Sequence, residues 1–291
     1  MTTAKPRIVI RGAGELASAT AHELHVNGLG RILMLERRYP KAVRRNVCFS
    51  EAVFSGVQHV QGVTARLASD LEQVEFINRL GDIAVAVVPL EMALAEWKPD
   101  VFIEAAMLRQ NWGLSRDLAR IVIALGPGYV AGRDCHAVVD TFRGPQVGAV
   151  LEDTGEHLIE EPPAEIMGFA SERVLKAARD GVFFTPAKIG DEVERGERIG
   201  TVVSVYGVDD FRRGVPIDAS YAVTVRISGV VRGLLRDGVP VSQGDKIGDV
   251  DPRGATEDLN HISDKAHRVA EGVHEALVGL LRQHRRGERA G

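Results

Sequence analysis

Cysteine, aromatic residues and long apolar runs are scarce in this chain of 291 residues, and each scarcity excludes a class of protein. The two cysteines, Cys48 and Cys135, support neither a disulfide framework nor a Cys-x-x-Cys metal site. The longest apolar runs, such as 83–88, have the length of a strand, and residues 1–6 lack the apolar core of a signal peptide. Aromatic side chains make up 5% of the residues, and no basic stripe runs between them. We expect a cytoplasmic protein that binds neither nucleic acid nor a membrane.

Familiar catalytic motifs are also missing. No Gly-x-Ser-x-Gly, His-Glu-x-x-His or Walker sequence is present, so the sequence does not indicate hydrolase chemistry. His22 and His25 lie three positions apart on a predicted helix, but no third ligand accompanies them. A zinc site needs three or four protein ligands, so no metal site is predicted.

A tandem repeat is the most informative feature that is present. Residues 181–202 correspond to residues 229–250 at a constant offset of 48 positions. Each copy predicts three strands joined by glycine turns, because glycine adopts the positive φ values that tight turns need. Two such units, each too small to bury its own apolar face, indicate a two-fold pseudosymmetric β module. The matching positions of the first copy are Gly181, Val182, Gly190, Val193, Gly196, Ile199, Gly200 and Val202.

The spacing Gly-Asp-x-Val-x-x-Gly-x-x-Ile-Gly in the first copy resembles the biotinyl/lipoyl (barrel-sandwich hybrid) domain. In carrier domains of that type, the modified lysine lies on the hairpin that joins the two halves. Here the joining segment, 203–228, contains no lysine, and Lys265 follows the second copy in a segment predicted to be helical. We therefore expect a small all-β structural or docking module without covalent biotin or lipoate.

The N-terminal half has the pattern of a nucleotide-binding fold. The apolar run 7–11 leads directly into Gly12-Ala13-Gly14-Glu15-Leu16-Ala17 and a helical stretch, which is the order of the dinucleotide fingerprint. Gly12 permits the tight turn, and Gly14 lets the backbone approach a pyrophosphate. The amides at the helix start, at Glu15 and Leu16, offer donors to an anion.

An acid and a cationic segment follow the second predicted strand, 31–35. Glu36 lies at the distance where an acidic side chain hydrogen-bonds a ribose hydroxyl. Arg37, Arg44 and Arg45 belong to a stretch with five cations in nine residues, whose guanidinium groups could bind a 2′-phosphate or another anion. The alternative is a solvated loop, and the pairing of Glu36 with Arg37 leaves the choice between NAD and NADP open.

A second glycine loop follows the predicted strand 121–125. It contains Gly126 and Gly128, which would face the first glycine loop in a doubly wound sheet. Asp134 and His136 would share one face of an extended segment there, and they are the candidate catalytic residues. The alternative is a glycine turn with a hydrogen-bonded core histidine. Alternating strands and helices predict a parallel sheet covered on both faces, with further strands at 57–61, 83–88 and 101–105 and helices at 69–80 and 90–97.

The sequence thus predicts an α/β protein in four parts. A Rossmann-like nucleotide-binding domain occupies 1–150, and an acidic, proline-containing connection occupies 151–177. The biotinyl/lipoyl-like β domain covers 178–252, and a C-terminal helix and tail cover 253–291. The helical period of apolar residues extends over 262–281, and we expect residues 282–291 to fray.

From about residue 7 to 281, the chain resembles the YqeB family of the selenium-dependent molybdenum hydroxylase system. The resemblance implies an accessory role in maturing molybdenum hydroxylases, and the N-terminal half is similar to the nucleotide-binding part of xanthine dehydrogenase accessory factors. The chain has Glu104-Ala105-Ala106-Met107 where the family has acid-Ala-Arg-Met, and Arg109 is the candidate substitute for the missing arginine. The matching motifs are 10–17, Arg44-Arg45 with 49–53, 125–129 with 131–132 and Asp134, 246–253 and 262–266.

Three functions remain open at this point. The first, which we predict, is an accessory protein that binds NAD(P) or a molybdopterin dinucleotide in the Rossmann-like half, while the β module docks a molybdenum hydroxylase client. The second is an NAD(P)-dependent oxidoreductase in which His136 or Asp134 moves protons while the nicotinamide carries hydride. The third is a non-catalytic scaffold. The predicted partners are a small nucleotide-type ligand, the client enzyme and a second copy of the chain.

Overall fold

The chain divides into two compact units in the computed structural model, which describes residues 5–108, 110–151, 162–214, 221–254 and 259–290. Unit 1 comprises Met1–Arg38, Val47–Glu161 and His261–Gly291, and unit 2 comprises Tyr39–Asn46 and Pro162–Asn260. A short segment between the second and third strands of the chain therefore belongs to the second unit. No helix within the described ranges is long and apolar enough to cross a membrane.

Unit 1 is built on a sheet of nine strands, in the order β3-β4-β5-β2-β1-β6-β7-β8-β9. The apolar residues of its central strands are buried, as expected for parallel strands covered on both faces, and partial exposure is confined to strand ends at Arg7, Arg11 and Arg31. The strands are β1 (Arg7–Arg11), β2 (Arg31–Leu35), β3 (Val57–Val60), β4 (Val63–Ala68), β5 (Ile83–Ala86), β6 (Val101–Glu104), β7 (Ile121–Leu125), β8 (Ala137–Val139) and β9 (Val150–Leu151).

Helices cover both faces of this sheet. One face packs on the first, second and last helices of the chain, with Ile8, Ile10 and Ile103 in its core. The other face packs on the third helix and on the loops after β6 and β7, with Val9 and Phe102 in its core. The helices are α1 (Glu15–Val26), α2 (Ala52–Ser55), α3 (Leu71–Arg79), α4 (Leu90–Met92), α5 (Val208–Arg212) in unit 2, and α6 (Asp264–Ala290).

Helix α6 belongs to unit 1 and packs along α1, where Val269, Val273 and Leu277 enter the core with no exposed surface. The tail from 282 onward, which was predicted to fray, instead continues the helix to Ala290. Arginine and glutamate are good helix formers, so the segment can extend the helix without apolar residues.

Unit 2 consists of two four-stranded antiparallel sheets, β10-β17-β15-β12 and β14-β13-β11-β16. Each copy of the tandem repeat forms three of these strands, and its middle strand pairs with the other copy: β12 with β15, and β16 with β11. The two copies are therefore interlocked. The strands are β10 (Val174–Lys176), β11 (Gly181–Phe184), β12 (Glu192–Val193), β13 (Arg198–Val203), β14 (Ala222–Thr224), β15 (Gly229–Leu234), β16 (Val239–Val241) and β17 (Lys246–Asp251).

The predicted fold class, a Rossmann-like parallel sheet followed by a biotinyl/lipoyl-like barrel-sandwich hybrid, is wrong. The large sheet is mixed, since β3 runs antiparallel to β4 and β9 runs antiparallel to β8. Strands β3 and β4 form a hairpin because Gln61 and Gly62 both adopt positive φ, as a two-residue hairpin turn requires. The chain returns from β8 to β9 through a short segment, which leaves no room for the helical crossover that a parallel pair needs.

Candidate functional site

The carboxyl ends of the parallel strands in unit 1 lie at one edge of the sheet. Strands β1, β2, β6 and β7 end there at Arg11, Leu35, Glu104 and Leu125. The glycine turn after β1 and the glycine loop after β7 therefore begin at the same edge. In open α/β sheets, ligands bind beyond these strand ends, so we take this edge as the candidate site.

The turn after β1 is tight at Gly12 and open at Gly14. Gly12 has a φ of +101°, and a Cβ atom there would lie 3.1 Å from the carbonyl oxygen of Ala105 and from Cα of Ala106. Gly14 is the N-cap of α1 in ordinary extended geometry, with no side chain capping the helix start in the described part of the chain. Nothing described lies within 4 Å of the position of its Cβ. A side chain at Gly14 would therefore meet no described atom in front of the first turn of α1.

Glu36 is bound to this turn. Its Oε2 accepts a hydrogen bond from the amide of Ala13 at 2.9 Å, and its Oε1 accepts one from the amide of Arg37 at 2.8 Å. The guanidinium of Arg37 is mostly exposed, with Nε 3.8 Å from Glu36 Oε1. The acid that was predicted to bind a ribose thus holds the glycine turn in place, and the partly exposed guanidinium of Arg37 lies beside it.

The segment after the cationic stretch supports the turn from the other side. The amide of Ser50 donates to the carbonyl oxygen of Ala13 at 3.0 Å. The hydroxyl of Ser18 donates to the same oxygen at 2.9 Å and accepts from the amide of Phe49 at 2.7 Å. Phe49 and Ser50 are completely buried. These hydrogen bonds fix the backbone of Ala13, and with it the conformation of the glycine turn.

Arg11 and Glu104 form an ion pair at the same edge. They are register neighbours on β1 and β6, so their side chains leave the sheet on the same face. Arg11 Nε lies 2.9 Å from Glu104 Oε2, and Glu104 Oε1 accepts the amide of Ala106 at 3.0 Å. The Glu104 side chain is 1% exposed. Burial raises the pKa of Glu104, while the charge of Arg11 and the amide of Ala106 oppose that change.

Tyr129 and Cys135 lie buried beyond the end of β7, on the same face of the sheet. Burial raises the pKa of the Tyr129 phenol, and the negative charge of Glu104 raises it further. Burial also raises the pKa of the Cys135 thiol to about 12. Tyr129 therefore remains a neutral hydrogen-bond donor at physiological pH, and Cys135 is no thiolate nucleophile.

Exposed apolar side chains lie on the loops that follow β6 and β8. Met107, Trp112 and Phe142 are all exposed large hydrophobic residues. Met107 has a φ of +53°, and its methyl group would lie 3.1 Å from a Cβ atom on Gly126. The loops beyond the strand ends thus carry apolar surface around the buried polar groups.

The two candidate catalytic residues have structural roles. Asp134 accepts hydrogen bonds from the amide of Val130 and from the guanidinium of Arg133, and the bonds with Arg133 are the main reason that its pKa is lowered. His136 Nδ1 accepts the amide of Val122 at 3.0 Å, and burial lowers the pKa of His136. The imidazole is therefore neutral with its proton on Nε2, and the side chain is partly buried.

The remaining predicted binding residues are divided between the units. Gly126 and Gly128 adopt positive φ in the loop after β7, and Leu16 packs into the core beside α6. Glu15 accepts a hydrogen bond from the hydroxyl of Ser263 at 2.6 Å. Arg44 and Arg45 belong to unit 2, where Arg44 is buried and Arg45 donates to the carbonyl oxygen of Leu234 at 2.6 Å.

Sequence reasoning included Arg11, Glu104 and Tyr129 in motifs compared with the YqeB family, but it predicted no role for them in the site. The available signal was weak: Arg11 and Glu104 are charged residues that end apolar strands, and Tyr129 follows a glycine loop. Arg109, the candidate substitute for the missing arginine, lies outside the described residues. No group of three or more His, Cys, Asp or Glu that could hold a metal ion occurs within the described ranges.

Comparison with known proteins gives one close sequence relative. No family model matches the chain. The chain is 39% identical over 282 residues to the uncharacterized protein YqeB of Escherichia coli strain K12, a match that covers 95% of this chain and 48% of that protein. This similarity supports the predicted resemblance to YqeB. The chain spans about half the length of this relative, whose name states no activity.

Solved structures show only a distant likeness. A succinylglutamate desuccinylase/aspartoacylase from Rhodobacter sphaeroides has 11% identity and a TM-score of 0.24, with 85% of this chain and 86% of that chain covered. The ectoine utilization protein EutE (DoeB) from Ruegeria pomeroyi has 11% identity and a TM-score of 0.26, with 85% of each chain covered. At such TM-scores the likeness gives no argument for an activity of this chain.

These comparisons contradict the predicted function. The two structures described above are named as a succinylglutamate desuccinylase/aspartoacylase and as an ectoine utilization protein, and neither name describes a nucleotide-binding accessory protein of a molybdenum hydroxylase. The prediction of such an accessory function, with its Rossmann, NAD(P) and molybdenum terms, is therefore wrong. The function has to be inferred from the geometry of the site.

Proposed function

We propose that unit 1 binds a small anionic molecule at the carboxyl edge of β1, β6 and β7. The observation that carries the proposal is the open start of α1. The Gly14 position is free of neighbouring atoms within 4 Å among the described residues, and Gly14, as the N-cap, brings no side chain to the helix start. The N-terminus of a helix favours a negative group, through hydrogen bonds and through the helix dipole.

The charges at the edge support the same proposal. The exposed guanidinium of Arg37 lies beside the turn, where it would attract an anion. The carboxylates nearby have partners: Glu36 accepts hydrogen bonds from two backbone amides, and Glu104 forms an ion pair with Arg11. An approaching phosphate or carboxylate therefore meets donors and a cation instead of free negative charge.

The binding test is a thermal unfolding series of the full chain with inorganic phosphate, pyrophosphate, citrate, glycerol 3-phosphate, malate, AMP and NAD as probes. A ligand at about a hundred times its dissociation constant adds about 2.7 kcal/mol to stability, which raises the melting temperature by several degrees. We expect at least one phosphate- or carboxylate-bearing probe to give this shift. No shift with any probe would contradict the proposal.

Gly14→Leu tests the location of the site. The backbone of Gly14 is compatible with any residue, and the new side chain would fill the open space in front of α1. Leucine is a poor N-cap and costs about 1 kcal/mol, so the measured quantity is the ligand-induced shift and not the melting temperature itself. Gly279→Leu, at an equally open position in α6, is the control. We expect the shift to disappear in Gly14→Leu and to persist in Gly279→Leu.

A further inference from the structure

Several buried polar atoms of unit 1 have no hydrogen-bond partner in the described part of the chain, and two of them lie on the same face of the sheet, at the end of β6 and beyond β7. These two are the hydroxyl of Tyr129, a residue that is 2% exposed, and Oε2 of Glu104, a residue with no exposed surface. Glu104 Oε2 forms an ion pair with Arg11 Nε at 2.9 Å, but the contact does not have the geometry of a hydrogen bond. An unsatisfied buried polar group costs about 1–3 kcal/mol, so a folded protein rarely keeps two in one place without a reason.

The two groups belong to neighbouring strands. Glu104 is the last residue of β6 and lies opposite Ala124 of β7, and Tyr129 follows β7 on the same face of the sheet. Burial raises the pKa of the Tyr129 phenol, and the negative charge of Glu104 contributes to the same change. A hydrogen-bond donor and an acceptor therefore lie on one face of the sheet, at the ends of two neighbouring strands.

The hydrogen-bonding capacity of Tyr129 and Glu104 determines which chemical group could bind to both. Tyr129 is a neutral phenol that donates, and the second oxygen of Glu104 accepts. An ionised phosphate or carboxylate oxygen of a ligand could accept from Tyr129 but, having no proton, could not donate to Glu104. An ammonium group could donate to Glu104 but could not accept from Tyr129. A hydroxyl group does both, because it carries one proton and two lone pairs.

We propose that Tyr129 and Glu104 together bind a hydroxyl group of the ligand, which makes the ligand a hydroxylated anion such as a hydroxy acid or a polyol phosphate. This inference rests on the proposed function, since the anionic part of the same molecule would lie at the start of α1. The positive charge of Arg11 balances the negative charge of the Glu104 carboxylate. Glu104 can therefore accept a hydrogen bond from a hydroxyl group without strongly repelling the anionic part of the ligand.

The test compares probes that differ only in a hydroxyl group. Malate is paired with succinate, and glycerol 3-phosphate with propyl phosphate, and their dissociation constants are measured by calorimetry on the full chain. We expect the hydroxylated member of at least one pair to bind about tenfold tighter or more, because its loss leaves both buried groups unpaired. In Tyr129→Phe we expect this preference to fall several-fold, while Tyr206→Phe, at a 98% exposed position, keeps it.

A second readout separates ligand binding from a structural role. A buried water molecule has the same hydrogen-bonding capacity as a hydroxyl group, and it would make the Tyr129 hydroxyl part of the fold. If the hydroxyl group serves the ligand, the unliganded Tyr129→Phe variant melts at the same temperature as the wild type or higher. A fall of several degrees in the unliganded variant would overturn the inference.

The two proposals fail in different ways. Equal binding of hydroxylated and deoxy probes, combined with loss of binding in Gly14→Leu, would overturn the hydroxyl site and leave the anion site standing. Binding that is sensitive to Tyr129→Phe but unchanged in Gly14→Leu would overturn the anion site at the start of α1. If no probe binds the wild type, both proposals fall.

Discussion

Gly148 and Gly272 meet backbone to backbone in unit 1. A Cβ atom on Gly272, in the middle of α6, would overlap the carbonyl oxygen of Gly148, and a Cβ atom on Gly148 would overlap that of Arg268. Gly148 also has a φ of +85°, which disfavours any side chain. The two glycines therefore allow α6 to approach the loop between β8 and β9 more closely than any other pair of residues would.

Gly272→Ala is expected to destabilise the protein by about 2 kcal/mol or more, because neither the helix nor the loop backbone can move aside locally. Gly279→Ala is the matched control in the same helix, where no described atom lies within 4 Å of the new Cβ. We expect it to be neutral or to stabilise by up to about 1 kcal/mol, through the higher helix propensity of alanine. Urea unfolding followed by circular dichroism measures both. Equal effects at the two positions would contradict the close contact.

The ion pair between Arg11 and Glu104 leads to a second prediction. Arg11→Met leaves the buried carboxylate of Glu104 without its cation and is expected to cost about 3 kcal/mol. The double variant Arg11→Met with Glu104→Leu is expected to be more stable than Arg11→Met alone, because it removes the unpaired charge. Urea unfolding of the single and double variants gives the coupling energy.

The control for this ion pair is a more exposed one in the same unit. Arg66 pairs with Asp82 at 2.5 Å, and the Arg66 side chain is 46% exposed. Arg66→Met is expected to change stability by less than about 1 kcal/mol, as exposed ion pairs contribute little. If Arg11→Met had an effect as small as Arg66→Met, the Glu104 carboxylate would not depend on Arg11.

The pH dependence of stability should carry opposite contributions from two carboxyl groups. Burial raises the pKa of Glu104 above its ordinary value of 4.5. The unfolded chain then releases this proton at a lower pH than the folded chain does. The contribution of Glu104 to stability is therefore fully present below pH 4.5 and is lost as the pH rises through the raised pKa. In Glu104→Gln this loss on raising the pH should disappear.

Asp134 gives the contribution of opposite sign. Arg133 holds its pKa below the ordinary value of 3.8, so its stabilising effect is present above that pH and is lost as the pH falls through the lowered pKa. Asp134→Asn should remove this loss on the acid side and leave the response above pH 4.5 unchanged. Urea unfolding at closely spaced pH values measures both slopes. The same slope in wild type and Glu104→Gln would contradict the assigned burial.

Much of the secondary structure could be predicted from local sequence patterns. The pairing of strands that are distant in the sequence could be predicted least. Strands Arg7–Arg11, Arg31–Leu35 and Ile121–Leu125 are confirmed residue by residue, because each is a short apolar run with a turn signal at its end. The hairpin of β3 and β4 was missed, because the prediction placed one strand at 57–61 and none at Val63–Ala68. The mixed character of the sheet depends on that hairpin and on β9, which runs antiparallel to β8.

The candidate site shows the same limit. The glycine turn after β1 was found from its spacing, which is a local signal. Arg11 and Glu104 are brought together only by the register between β1 and β6, far apart in the sequence, and no spacing rule joins them. The cationic stretch was read as one anion-binding segment, yet it divides between the units, and Arg44 and Arg45 belong to the β unit. A run of like charges in the sequence does not show to which structural unit each residue belongs.

The tandem repeat yields the last prediction, because equivalent glycines make the same contact in both copies. A Cβ atom on Gly181 would overlap the carbonyl oxygen of Val203, and a Cβ atom on Gly229 would overlap that of Asp251. Each glycine begins a strand that pairs closely with the last strand of its own copy. Gly181→Ala and Gly229→Ala are therefore each expected to cost about 2 kcal/mol or more, by forcing the paired strands apart.

Gly207 provides the control for both substitutions. A Cβ atom there would lie 3.5 Å from Cγ1 of Val203, an ordinary contact, and its φ of −100° suits any residue. We expect Gly207→Ala to change stability by less than about 0.5 kcal/mol. Amide hydrogen exchange of β11, β13, β15 and β17 localises the effect: both strand variants should lose protection in unit 2, while unit 1 keeps it. Loss in only one of the two variants would show that the copies do not share the same structural role for this glycine.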